Sequence, residues 1–73
     1  MGRGKSMHRN WTYVKNSDIE VRIDLVRPET SVEYRFIGEQ TWTASPFQSA
    51  NFCCGSGDEQ EALKAVDRWL ESA

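Results

Sequence analysis

The stretch "NFCCGSGDEQEALKAVDRWL", residues 51–70, holds the residue types most able to do chemistry. Cys53 and Cys54 come first, because a thiolate is at once a nucleophile, a metal ligand and a redox carrier. Their adjacency works against all three roles. A dithiol centre or half of a zinc site uses C-x-x-C spacing, and the chain has no other cysteine. On a strand, neighbouring side chains point to opposite faces. A catalytic thiol also needs a base beside it, and the single histidine, His8, lies in the N-terminal arm. The pair therefore reads as one buried small hydrophobe and one part-exposed thiol.

"GSGD" invites a phosphate-loop reading, but it lacks both the G-x-x-x-x-G-K-[ST] spacing and a lysine, and Asp58, Glu59 and Glu61 would repel a phosphate. Gly55 and Gly57 fit better as the positive-φ residues of a strand-to-helix turn. Glu20, Asp24 and Glu33 offer paired carboxylates for acid–base work. They are interleaved with Arg22 and Arg35, which makes ion pairing the simpler explanation. A Ser-His-Asp site fails on its histidine. The chain is expected not to be an enzyme, and no metal or cofactor is expected.

Two binding surfaces remain. The first is the polar side of a sheet carrying Glu20, Arg22, Asp24, Glu33 and Arg35, supplemented by Trp42 and Phe47 from an aromatic group that also includes Pro46 and Phe52. An exposed aromatic patch would mark a protein-binding surface, whereas the loop "ASPFQSANF" folding over the core edge would use the same rings to close the core. The second is "RGKSMHRNWTY", in which Arg3, Lys5 and Arg9 could contact phosphates while Trp11 or Tyr13 stacks on a base. Against the second stand the net charge of −2 and the lack of an RNP-type or KH motif.

The elements that must position these residues follow from periodicity. At 73 residues the chain has room for one domain, near the small end of what folds on a single apolar core. Residues 1–8, "MGRGKSMH", read as a flexible basic arm and residues 9–73 as the domain. Residues 1–15 carry Arg3, Lys5, Arg9 and Lys15 and no acid, whereas the last sixteen residues are net acidic. "NWTYVK" predicts a first strand ending at the turn formers Asn16-Ser17-Asp18. In "DIEVRIDLVR", Ile19, Val21, Ile23 and Leu25 alternate with Glu20, Arg22 and Asp24, the period of a strand with one dry and one wet face. "VEYRFI" continues the alternation. A loop from Pro28 to Ser31 predicts Leu25 beside Tyr34, Ile23 beside Phe36 and Asp24 beside Arg35, since a two-residue turn would set like charges together and ask proline for a positive φ.

Gly38-Glu39 predicts another reversal, and "QTWTA" a short fourth strand. Ser45 then suits a helix N-cap and Pro46 a first helical position, so "PFQSA" reads either as one helical turn or as a loop leading to a last strand at Asn51–Cys54. After Gly57 the period lengthens to that of a helix. Ala62, Leu63, Val66, Trp69 and Leu70 share one face, with capping-box spacing at Ser56/Glu59 and Asp58/Glu61. The expected fold is α+β, an antiparallel meander of three to four strands with one C-terminal amphipathic helix packed on one face.

"GSGDEQEALKAVDRWLE" is similar to the strand-to-helix stretch of HicB-type antitoxin domains, over about a quarter of the chain. The upstream proline-rich strand pattern of that family is not evident. The resemblance implies a non-catalytic, partner-binding protein. Two cysteines make no disulfide framework, no apolar leader follows the N-terminus and no apolar run is long enough to cross a membrane, so a cytoplasmic location is expected. The function expected is that of a small non-catalytic protein-binding module, a regulator or inhibitor of a larger protein or complex. The alternative is a nucleic-acid-binding module using Arg3, Lys5, Arg9, Trp11 and Tyr13. An open meander also leaves edges at which a homodimer could join.

Overall fold

The computed structural model describes residues 11–52 and 58–72. Four strands, β1 (Trp11–Lys15), β2 (Ile19–Asp24), β3 (Ser31–Phe36) and β4 (Thr43–Gln48), form one antiparallel sheet in the order β1-β2-β3-β4. A 3₁₀ turn (Ser49–Asn51) follows, and the chain closes with a helix, α1 (Asp58–Ser72). This is the expected α+β meander.

The turns are built by short polar side chains and one glycine. Asn16 Oδ1 accepts the N–H groups of Asp18 (2.7 Å) and Ile19 (2.8 Å), which reverses the chain between β1 and β2. Gly38 stands at φ +100°, a conformation costly for any residue with a Cβ, and Glu39 N–H closes on Phe36 C=O at 2.9 Å.

The β2–β3 register differs from the sequence expectation. Ile19 pairs with Phe36, Glu20 with Arg35, Val21 with Tyr34 and Arg22 with Glu33. Residues 25–30 form the loop, so Leu25 is half exposed rather than inside. Asp24 sets this register. Its Oδ1 accepts the N–H groups of Val26 (2.9 Å) and Arg27 (3.1 Å), and ends the strand there. Ser49 Oγ takes the Asp24 N–H at 3.2 Å, while the Ser49 and Ala50 N–H groups bond to Thr30 and Pro28 carbonyls. Both registers oppose unlike charges, so charge pairing alone could not choose between them.

The segment after Gly38 also departs from expectation. Trp42 precedes the fourth strand, and Ser45-Pro46-Phe47 lies within it instead of starting a helical turn. Nor does a strand begin at Asn51, which closes the 3₁₀ turn. Proline is tolerated because β4 is an edge. The pairing shifts register between Ser31 and Glu33. There the Ser45 hydroxyl donates to Val32 C=O (2.7 Å) and accepts Phe47 N–H (3.2 Å). The serine bonds two residues ahead as it would in a helix cap, but inside a bulged strand.

Ile19, Val21, Ile23 and Val32 from the sheet meet Ala62, Leu63 and Val66 from α1 in the core. The helix lies across β1 and β2, and Thr12 Oγ1 donates to Glu59 Oε2 at 3.0 Å across that contact. Asp58, Glu59 and Glu61 occupy its first turn, where carboxylates offset the helix dipole. Over β3 and β4 the space is filled by rings: Trp69 meets Tyr34 (5.7 Å) and Phe47 (6.4 Å) edge to face, and Phe47 meets Phe52 (6.1 Å).

Candidate functional site

With α1 covering one face, the other face of the sheet presents Tyr13, Lys15, Glu20, Arg22, Glu33 and Arg35 in cross-strand rows. Tyr13, Arg22 and Glu33 are neighbours in one row, and Lys15, Glu20 and Arg35 in the next. Arg22 Nε donates to Glu33 Oε1 at 2.7 Å, and its terminal nitrogen reaches the same oxygen. Arg35 grips Glu20 Oε1 through Nε (3.0 Å) and a terminal nitrogen (2.9 Å). These side chains are 21–29% exposed, so water still screens the pairs and each contributes at most about 1 kcal/mol.

Above this charge lattice sit aromatic rings. The Arg22 guanidinium carbon lies 4.3 Å from the ring centre of Trp11 and 4.3 Å from that of Trp42. Arg35 lies 4.4 Å from the Trp42 ring, and Tyr13 meets Trp42 at 6.1 Å with a 50° tilt. Trp42 thus touches both arginines, and each cation–π contact at such a partly exposed site contributes about 0.5–1 kcal/mol. The strands fix where each arginine starts, and the stack with its ion pair fixes where it ends. The result is an aromatic and guanidinium surface in which the charges of Arg22 and Arg35 are balanced by Glu33 and Glu20.

Five of the seven residues expected on the protein-binding surface lie here: Glu20, Arg22, Glu33, Arg35 and Trp42. Asp24 and Phe47 do not. Asp24 is fully buried because its carboxylate is committed to the β2–β3 loop. Phe47 is on the helix side, where it packs against the core with Trp69. Trp11 and Tyr13, expected as base-stacking residues, share the surface, while Arg3, Lys5 and Arg9 lie outside the described residues, as do His8 and the Cys53–Gly57 junction. What sequence reasoning missed is the joining of Trp11, Arg22 and Trp42 into one stack. The alternation marks Arg22 as outward, but only the strand order brings the two tryptophans to it.

On the other side of the molecule an open cleft of about 400 Å³ runs between Ile19, Phe36 and Leu70, rimmed by Asp18, Asp67 and Glu71. Among the described residues no group of three or more His, Cys, Asp or Glu is placed to hold a metal ion, and no helix is long and apolar enough to cross a membrane. No family model, curated protein or solved structure matches the chain.

Proposed function

We propose that the protein is a small non-catalytic protein-binding module, a regulator or inhibitor of a larger partner, that docks through the helix-free face of its sheet. The observation that carries this reading is the Arg22 guanidinium held between Trp11 and Trp42. Tryptophan, tyrosine and arginine are the residues that dominate binding energy at protein interfaces, and here they are gathered on one face of the sheet. An arginine already held by two rings and a carboxylate loses little freedom when a partner arrives, so less of the contact energy is spent on ordering it. Because the face is close to charge-balanced, it suits a protein surface of mixed charge more than a polyanion.

One observation favours nucleic acid instead. Trp11, Tyr13 and Trp42 share an open sheet face, as base stacking requires. The Trp11 and Trp42 rings, however, already carry guanidinium groups, and those groups are neutralised by glutamates.

The test is capture from lysate with tagged wild-type protein and Trp42→Ala, at low and high salt, with and without nuclease. A protein retained in all conditions by the wild type, with affinity lowered about thirtyfold by Trp42→Ala, is the expected result, since truncating an interface tryptophan costs about 2 kcal/mol or more. Capture that is indifferent to Trp42→Ala refutes the proposed surface. Retention lost on nuclease treatment or at high salt transfers the role to nucleic acid.

A further inference from the structure

The two edges of the sheet are not alike. β4 is unsuited to pairing with another strand, because Pro46 lacks an N–H and the bulge at Ser45 breaks the ladder. β1 has neither device. Its residues Trp11–Lys15 form a regular, unbulged ladder with β2. The hairpin bond from Asn16 N–H to Ile19 C=O (2.9 Å) fixes which way the main chain faces. Hydrogen-bonded pairs alternate in an antiparallel ladder, so Val14 with Val21 and Thr12 with Ile23 bond inward. The N–H and C=O groups of Tyr13 and Lys15 therefore aim outward. Among the described residues no main-chain group bonds to them there.

We propose that this edge is the seam of a two-fold dimer, in which β1 pairs antiparallel with β1 of a second copy about an axis at Val14. Tyr13 then exchanges both main-chain hydrogen bonds with the partner's Lys15, and Lys15 with the partner's Tyr13. On the outer face each lysine lies against a phenol ring. A slip that centred the pairing on Lys15 would instead set the two lysines face to face, where they repel. On the helix side Val14 meets its copy in a non-bonded pair, with Cα atoms about 4.5 Å apart. Val14 already packs against the core, so the contact closes the flank of the core that β1 leaves open. The dimer runs two sheets into one, and sets the two Trp11–Arg22–Trp42 surfaces on the same side of it. It uses the main-chain groups of the edge, and shares with the proposed docking surface only the side chains of Tyr13 and Lys15 at that surface's border.

Sedimentation of the full chain over a concentration series is expected to show a monomer–dimer equilibrium. Lys15→Pro removes an outward N–H and blocks the edge while leaving the inward bonds of Thr12 and Val14. It should abolish the dimer without changing the circular dichroism spectrum. As a second readout, Val14→Cys in a Cys53→Ser, Cys54→Ser background should form an intermolecular disulfide on mild oxidation, because the Cα separation suits one. A monomer at every concentration, a dimer that survives Lys15→Pro, or failure of Val14→Cys to cross-link would each overturn the proposal.

Discussion

Asp24 stands at the alternation position of Glu20 and Arg22, yet it is fully buried, with Oδ1 bound to the Val26 and Arg27 N–H groups. It is a structural residue in a row of surface ones. Asp24→Ala removes the acceptor that ends β2 and should lower stability by about 1–3 kcal/mol. Asp24→Asn keeps an oxygen that can accept the same bonds and should recover part of the loss. Urea unfolding of the three proteins, compared at constant m, measures both. If the alanine variant matched the wild type, the register would have to be set by the 3₁₀ turn alone. Arg22 and Trp42 are the converse case. Their contacts are partly exposed and lie outside the apolar core, so their removal should cost the fold less than it costs binding.

Among the elements, β4 depends most on a single side chain. Ser45 is 6% exposed and its hydroxyl bonds to both Val32 C=O and Phe47 N–H. Ser45→Ala strands both groups beside a proline that cannot compensate, and should cost about 1–3 kcal/mol. Hydrogen exchange should show the loosening first at the Phe47 amide, ahead of β2. The same element shows where sequence reasoning stops. β2 and α1 are legible because their periods are strict: Ile19, Val21 and Ile23 against Glu20 and Arg22, then Ala62, Leu63, Val66 and Trp69 on one helical face. Ser45-Pro46 is not, because a serine that bonds two residues ahead and a proline that donates nothing look the same in a helix cap and in a bulged edge strand. The β2–β3 register was hidden for a related reason. The alternating charges satisfy more than one pairing, and the loop hydrogen bonds at Asp24 select between them. Of the proposed docking surface, the four charged residues follow from alternation. The place of Trp42 above them does not, since it depends on where β4 begins.

At the scale of the whole molecule, the apolar core is small. It consists of four β-branched side chains from the sheet and Ala62, Leu63 and Val66 from the helix, and a core of this size rarely supplies more than about 3–5 kcal/mol. The edge-to-face rings of Tyr34, Phe47, Phe52 and Trp69 extend it over β3 and β4, and dimerisation at β1 would extend it on the opposite flank. The three tryptophans are thereby divided between the two sides of the sheet. Trp69 is among those core rings, whereas Trp11 and Trp42 cover Arg22 on the helix-free face. The molecule consequently carries two intrinsic fluorophore sets with separate meanings. Unfolding should shift the emission of all three indoles together, whereas engagement of the proposed docking face should perturb Trp11 and Trp42 and leave Trp69 silent. Trp69→Phe, which leaves Trp11 and Trp42 in place, isolates the second signal, so that the protein reports on its own occupancy without a label.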